Sequence, residues 1–310
     1  MYRFFGEQDA YSLFNQLSFY AMMVSSLFFA IWKRKHLGIF SKYIVDFFSR
    51  FKFKQITHIV EFILATIEMA LFAFVLDRTS GFFNYSFGKL VGTGANYFAV
   101  VFLIPFIWSL LALILQANPV KQMDTATFMI PIQLTFFKTA CFFNGCCWGI
   151  PWEYGLYNHH YHHPGKQVPV QAIEAFFAVA IFVFLLFYRK KAKTGTIYPM
   201  FMILYGGTRF FSEFFTAAYP DIIGPFNMYQ ILCTISVVVG VVLFFIVRKY
   251  SEKISDFFDK PQRIIDNRIR KAKEIKEERI AEEKAKTEAE MQERLEKAKL
   301  ARAKAKARKK

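Results

Sequence analysis

The run YFAVVFLIPFIWSLLALIL, residues 97–115, contains no charged side chain. At about 1.5 Å per residue, a helix of this length crosses most of the roughly 30 Å hydrocarbon core of a bilayer. Lipid offers no partners to backbone N–H and C=O groups, so such a run is expected to be helical. We therefore predict a membrane span within 96–117.

The hydropathy pattern of the whole chain predicts an all-α, polytopic membrane protein with seven spans. Hydrophobic residues form 55% of the 310-residue chain, and only 29 of the first 247 residues are charged. That is about half the share of roughly 25% found in globular proteins, which excludes a soluble globular enzyme. Four cysteines are too few for a disulfide-rich secreted domain. The other six predicted spans are 13–32, 57–77, 125–145, 171–188, 196–215 and 228–247.

The Lys and Arg residues of the connections predict the orientation. Twelve lie on one side of the membrane and four on the other, and the basic C-terminal tail is on the richer side. The positive-inside rule therefore predicts an N-terminus outside and a C-terminus in the cytoplasm. No cleaved signal peptide is expected, because no small-x-small site follows Trp32 and KRKH comes directly after it.

Two basic segments leave alternatives open. In 37–54, Phe and Ile alternate with Lys and Arg, so the segment either lies flat on anionic headgroups or is a basic loop that fixes topology. We divide the chain into a membrane body, 1–250, and a charged cytoplasmic tail, 251–310. The tail is interpreted as a solvated helix or disordered segment, with binding to a ribosome or lipid surface as the sharper alternative. The excess positive charge does not argue for nucleic acid.

One group of polar residues ends the fourth predicted span, in FKTACFFNGCCWG (137–149). Ionisable groups inside spans cost about 2.5–3.5 kcal/mol each, so they usually face a cavity and have a function. Lys138, Cys141 and Asn144 fall on one side of a helix. Gly145 and Gly149 then permit a break and close backbone approach. A cation beside a broken helix suits an anionic headgroup; the alternative is a snorkelling lysine with glycine packing.

Two more groups follow in the fifth and sixth predicted spans. Tyr205, Arg209 and Glu213 form one polar stripe at spacings of four. Arg209 can pair with Glu213 and suits phosphate oxygens, although a purely structural ion pair is the alternative. Gln171 and Glu174 stand at a predicted helix start, where a carboxylate favours the helix dipole and needs no other role.

The histidines and paired cysteines do not predict a metal site. The run HHYHH, 159–163, lacks tetrahedral ligand spacing and is interpreted as an interfacial loop. A disulfide between the adjacent Cys146 and Cys147 would be strained, so we expect reduced thiols that serve in packing, with a redox role left open.

Together these motifs resemble the prolipoprotein diacylglyceryl transferase family. That family shows G-R-x-x-N-F-x-N-G-E-x-x-G, H-P-x-Q-L-Y-E, Y-G-x-x-R-F-x-x-E-F-x-R and M-x-Q-x-L, in this order. The corresponding stretches here are FKTACFFNGCCWG (137–149), VPVQAIEA (168–175), YGGTRFFSEFFT (205–216) and MYQILCTISVVVG (228–240).

This chain departs from the family pattern at several positions. Lys138 replaces an arginine. It keeps the positive charge, but an ammonium group cannot donate the two parallel hydrogen bonds that a guanidinium group gives to a phosphate. Cys141 replaces an asparagine, Cys146 a glutamate and Thr216 an arginine, and Val168 stands where the family has histidine.

The resemblance implies a bacterial plasma-membrane enzyme that transfers the diacylglyceryl group of phosphatidylglycerol to the lipobox cysteine of prolipoproteins. A thioether would form and glycerol phosphate would leave, with no cofactor or metal. The alternatives are a non-catalytic relative that binds lipid or signal peptide, and a small-solute transporter, although the internal repeat typical of transporters is not seen. No general base is assigned, and His163 is only a weak candidate. The implied catalytic residues are Arg209, Lys138 and Asn144, and the implied substrate-binding residues are Lys138, Gly145, Gly149, Gln171, Glu174, Tyr205 and Glu213.

Overall fold

A computed structural model describes residues 10–49, 54–91, 97–158, 165–217, 221–223 and 226–307. These ranges are mainly helical, with a short 3₁₀ turn at Arg34–His36 and two small antiparallel hairpins, β1 with β2 and β3 with β4. The strands are β1 (Pro151–Asn158), β2 (Gly165–Gln167), β3 (Asp221–Ile223) and β4 (Phe226–Asn227). The helices are α1 (Ala10–Lys33), α2 (Ile39–Ser49), α3 (Lys54–Val91), α4 (Phe98–Ile114), α5 (Pro119–Ala126), α6 (Met129–Asn144), α7 (Val170–Tyr188), α8 (Ile197–Glu213) and α9 (Met228–Ala307).

The all-α prediction is confirmed, and each of the seven predicted segments coincides with a helix. By length and composition, five stretches are long and apolar enough to cross a membrane. The helix α4 is apolar but only 17 residues long, and α8, also 17 residues, carries Arg209 and Glu213. The five stretches are Ser12–His36, Ile56–Phe82, Pro119–Asn144, Val170–Tyr188 and Met228–Lys260.

The membrane body is apolar both inside and outside. One cluster of buried residues joins α1, α3, α4, α6, α7, α8 and the start of α9. Trp108 lies in it and donates a hydrogen bond from Nε1 to the carbonyl oxygen of Phe72, at 3.3 Å. Large apolar side chains such as Phe106, Phe176 and Phe245 are exposed on the outer surface. Helices that are apolar all round suit a lipid environment.

An internal ion pair explains why α3 can carry the acidic residue Glu68 within its apolar sequence. Glu68 pairs with Lys33, whose side chain is fully buried. The Glu68 carboxylate also accepts hydrogen bonds from the Gly38 backbone N–H at 3.0 Å and from the Ser41 hydroxyl at 2.5 Å. Lys33 is one of the twelve basic residues that predict the orientation. In the structure it anchors the turn between α1 and α2.

The basic and aromatic segment predicted at 37–54 contains the helix α2, Ile39–Ser49. Ile39 and Ser41 are buried, whereas Phe40, Tyr43 and Phe47 are exposed. This exposed aromatic surface favours the first of the two alternatives, a segment that lies flat on the headgroups, over a basic loop. Residues 50–53 are outside the described part of the chain, and the interfacial position remains a prediction.

The chain separates into two compact units, residues 1–259 and 260–310. The first unit includes Asp259, which pairs with Lys121 at 2.6 Å and accepts a hydrogen bond from Asn118 at 2.8 Å. The second unit is helical as far as Ala307. An ion pair between Arg270 and Glu274, four residues apart at 3.9 Å, lies on its surface.

Candidate active site

The carboxylate of Glu174 on α7 connects two cations from neighbouring helices. Lys138 on α6 and Arg209 on α8 both form ion pairs with it. All three side chains are nearly buried, with exposed fractions of 12%, 6% and 11% for Lys138, Glu174 and Arg209. The structure thus brings together three predicted residues from three separate sequence motifs.

A second carboxylate completes this polar network. Arg209 pairs with Glu213, one turn further along α8, at 2.8 Å. The hydroxyl of Ser212 donates to Oε1 of Glu174 at 3.0 Å. Two cations and two carboxylates leave the network neutral, which lowers the cost of holding four charges away from water. We call Lys138, Glu174, Arg209 and Glu213 the charge network.

The beginning of α9 supports the network with residues that are not among the predicted site residues. The amide of Asn227 donates to Oε1 of Glu213 at 3.2 Å, and the ring of Tyr229 lies 5.3 Å from the Arg209 guanidinium carbon. Asn227 and Gln230 also exchange side-chain-to-backbone hydrogen bonds at 2.9 and 3.1 Å. The spacing N-x-x-Q is a capping-box pattern and could have marked Asn227 in the sequence.

A narrow crevice opens onto the network. Lys138, Glu174 and Arg209 line it together with the apolar Phe177 and Ile181. Tyr205 lines the same crevice, and its ring is stacked against Phe201 with centroids 5.7 Å apart. Glu213 and Tyr229 contact Arg209, whereas Tyr205, which was also predicted to position Arg209, forms part of the aromatic wall.

Both glycines of the first motif occupy positions that need glycine. Gly145 ends α6 in the left-handed conformation, with φ of 77°. Gly149 is packed so closely that an added Cβ would meet the carbonyl oxygen of Phe215 and lie 2.7 Å from Cγ2 of Val170. The expected helix break and close backbone approach are confirmed.

Gln171 and Asn144 lie at this break. The Gln171 side chain is fully buried and donates from Nε2 to the carbonyl oxygen of Cys146, which ties the break to the start of α7. Asn144 is the half-buried last residue of α6 and directly precedes the Gly145 turn. These residues shape the loop beside the charge network without touching Lys138 or Arg209 in the contacts described.

Three cysteines converge at the end of α6. The sulfur atoms of Cys141, Cys146 and Cys147 all lie within 4.8 Å of one another, and all three are free thiols. Hydrogen bonds with the other two thiols lower the pKa of Cys147, and the positive charges of Lys138 and Arg209 act in the same direction. The sequence draws attention to the adjacent pair Cys146 and Cys147, but the proximity of Cys141 to them was not predicted. The spacing C-x₄-C-C across the end of a helix could have indicated it.

The histidines at 159, 160, 162 and 163 lie outside the described residues, so the weak candidate His163 stays untested.

Comparisons with known proteins agree with the sequence motifs. Residues 12–246 match the family model described as prolipoprotein diacylglyceryl transferase. A Clostridium tetani (strain Massachusetts / E88) protein named phosphatidylglycerol–prolipoprotein diacylglyceryl transferase is 25% identical over 136 residues. The aligned region is 40% of this chain and 52% of that relative, so the chain spans about half the length of the curated relative it matches.

Proposed function

The chain belongs to the prolipoprotein diacylglyceryl transferase family, and we propose that it transfers the diacylglyceryl group of phosphatidylglycerol to the lipobox cysteine of prolipoproteins. The observation that carries this proposal is the charge network, which places an arginine and a lysine beside a crevice with an apolar wall. A phospholipid has the matching chemistry, an anionic phosphate next to hydrocarbon.

We propose a bacterial plasma-membrane location with seven spans, an outer N-terminus and a cytoplasmic C-terminus. The apolar exteriors of the helices and the twelve-to-four distribution of basic residues support this arrangement. With this orientation, the ends of α6 and α8 and the start of α7 face the outer side. A secreted prolipoprotein would approach from there.

In the proposed reaction, the substrate thiolate forms a C–S bond to a glyceryl carbon. The C–O bond to the phosphate breaks, and its electron pair leaves with glycerol phosphate. The phosphodiester carries one negative charge, and the leaving group gains another. Arg209 and Lys138 stabilise that developing charge, since cations held in place before the reaction act strongly in a site shielded from water.

Glu174 and Glu213 hold the two cations in place before the lipid arrives. Phosphate oxygens compete with Glu174 for the Arg209 fork and for the Lys138 ammonium group. Asn144, Gly145, Gly149 and Gln171 shape the adjoining loop, which would receive the headgroup. Phe177 and Ile181 offer apolar surface to the acyl chains.

The direct test combines the purified chain, phosphatidylglycerol vesicles and a peptide containing a lipobox. We expect mass spectrometry to find a diacylglyceryl thioether on the cysteine, with an equal amount of glycerol phosphate released. A peptide with serine in place of that cysteine is the matched control. Absence of thioether from a folded preparation, together with failure to complement a strain lacking this transferase, would contradict the proposal.

A non-catalytic lipid-binding protein is the second candidate, and the neutral charge of the network favours it. Glu174 occupies both cations at once, which would suit a site that only holds the protein together. This candidate predicts saturable binding of phosphatidylglycerol without release of glycerol phosphate. The same vesicle assay therefore separates binding from transfer.

A further inference from the structure

The three thiols at the end of α6 form a cluster with the dimensions of a metal site. Cys141 comes from the last turn of the helix, and Cys146 and Cys147 follow the Gly145 turn. Around a tetrahedral Zn²⁺, with Zn–S bonds of about 2.3 Å, the sulfurs stand roughly 3.8 Å apart. The separations here, all within 4.8 Å, would close around such an ion with shifts of about 1 Å or less.

The backbone directs these thiols toward one another. Gly145 is left-handed, and Cys147 also has a positive φ, of 59°. A non-glycine residue in this conformation is uncommon and persists where its surroundings hold it. The Gln171 amide holds the Cys146 carbonyl oxygen from α7, so the loop is fixed from outside as well.

The cluster is open on one side. Cys141 is buried, Cys146 is half-buried and Cys147 is exposed. Three protein ligands with one open position are characteristic of catalytic zinc sites, whereas structural sites have four. A fourth ligand can reach this cluster from the Cys147 side.

We propose that Cys141, Cys146 and Cys147 bind one Zn²⁺ as thiolates, and that the open position binds the thiol of the incoming lipobox cysteine. The second part rests on the proposed function. Zn²⁺ with three thiolates has a net charge of −1. Lys138 lies three residues before Cys141 on the same side of α6, where its positive charge, shared with Glu174, also acts on the cluster.

This site would supply the nucleophile that the transfer needs. A thiol that coordinates Zn²⁺ gives up its proton, which passes to solvent, and becomes a bound thiolate. Its sulfur then forms the C–S bond, and the C–O electron pair leaves with the phosphate. The zinc stays divalent throughout, so no oxidant or reductant is required.

The metal part is tested on the full-length chain, reduced and purified in detergent, with Zn²⁺ and the spectroscopic probe Co²⁺. We expect one Zn²⁺ per chain, and thiolate-to-cobalt charge-transfer absorption with the visible bands of tetrahedral Co²⁺. Cys141→Ser, Cys146→Ser and Cys147→Ser should each weaken Zn²⁺ binding by more than about 10-fold, because even outer-shell changes cost 10- to 100-fold.

The fourth cysteine is the matched control. Cys233, on α9, is a buried free thiol outside the cluster, so Cys233→Ser should keep full metal binding. Cys146→His retains a zinc ligand and should restore binding lost in Cys146→Ser, which separates ligation from misfolding. Equal Zn²⁺ binding by the parent and the three cluster variants would overturn the proposal.

Oxidation of the cluster is the other outcome to distinguish. A disulfide between Cys141 and one of its neighbours would remove two hydrogens from the intact mass, reversibly with a reductant. If the reduced chain then binds no Zn²⁺ or Co²⁺, the cluster is a redox pair and the metal site is wrong.

The open position is tested by adding the lipobox peptide to the cobalt-loaded chain. We expect the charge-transfer absorption to rise by about one third with the cysteine peptide, as three Co–S bonds become four, and not with the serine peptide. Thioether formation without this rise would overturn thiol coordination while leaving transfer intact. A rise without thioether would support the site while the proposed transfer fails.

Discussion

At the scale of single residues, Glu174 is the residue on which the candidate site depends. Its carboxylate lies between Lys138 and Arg209 and also accepts a hydrogen bond from the Ser212 hydroxyl. Each cation therefore has its position set by a partner on another helix. An arriving phosphate would find both groups already oriented, which saves the entropy of ordering them in the transition state.

We expect Arg209→Ala and Arg209→Lys both to lose most diacylglyceryl transfer, by roughly 10²–10³-fold in kcat/KM. The alanine variant loses the charge, and the lysine variant keeps the charge but loses the bidentate fork. The measurement is thioether formation with phosphatidylglycerol vesicles and lipobox peptide. Arg78→Ala is the control, because Arg78 is an exposed arginine on α3. Normal turnover by Arg209→Ala would remove Arg209 from the mechanism.

We expect transfer activity to depend on the positive charge at position 138 more than on the shape of the side chain. Lys138→Arg keeps an ion pair with Glu174 and should stay within a few-fold of the parent. Lys138→Gln leaves the network with a net negative charge and should lower transfer by more than about 10-fold, mainly by weakening phosphatidylglycerol binding. The dependence of rate on lipid concentration checks this. Equal transfer by Lys138→Gln and the parent would mean that Lys138 serves only in packing.

At the scale of elements, the end of α6 and the connection into α7 hold the network against the loop that precedes α9. Gly149 donates its N–H to Val168 at 2.9 Å, and Ile150 donates to Phe215 at 2.9 Å. The first bond closes the connection between α6 and α7, and the second joins this connection to the loop that follows α8. The spacing between Lys138 and Arg209 therefore depends on close backbone packing outside the helices.

Gly149→Ala should destabilise the chain, by about 1–3 kcal/mol, because the new methyl group meets backbone oxygens and Val170. A lower midpoint of thermal unfolding in detergent would show this. Gly81→Ala is the matched control, since an added Cβ there meets nothing within 4 Å and a helical alanine is favoured by roughly 0.5–1 kcal/mol. If Gly149→Ala kept the parent's midpoint, the close packing at Gly149 would contribute nothing to stability.

The pair between Lys33 and Glu68 joins α1 to α3, and removing one partner should be costly. Glu68→Gln leaves a buried ammonium group unpaired, with an expected loss of about 3–5 kcal/mol. Lys33→Met combined with Glu68→Gln should recover part of that loss, because neither charge then remains. Unfolding midpoints report both effects, with Glu61→Gln on the same helix as control. A double variant less stable than Glu68→Gln would contradict this account.

At the scale of the whole molecule, the boundary of the membrane body decides how the tail can be removed. Asp259 contacts Asn118 and Lys121, so a deletion beginning at residue 256 also breaks contacts within the first unit. A deletion of 260–310 keeps them. Comparing the two deletions separates the effect of the tail from the effect of Asp259.

Deletion of 260–310 should leave transfer in neutral detergent within a few-fold of the parent. Residues 260–310 have 19 basic and 10 acidic side chains. Any contribution to binding of anionic liposomes should be about 1 kcal/mol per basic group near the surface. It should fade as salt rises, since the Debye length is about 10 Å at 0.1 M. Two outcomes would show that the tail acts directly on the catalytic body. One is loss of activity in detergent after the deletion, and the other is an effect on liposome binding that does not change with salt concentration.

Hydropathy and motif spacing predicted the fold class, the seven helical segments and all four charged residues of the candidate site. Hydropathy and spacing are properties of neighbouring residues, so Lys138, Asn144, Arg209 and Glu213 could be placed on helices without a structure. Which helices adjoin, and how each is rotated about its axis, depends on packing between residues far apart in the chain. Only the tertiary structure therefore showed Glu174 between two cations, Tyr229 beside Arg209, Lys33 paired with Glu68, and Cys141 joined to Cys146 and Cys147.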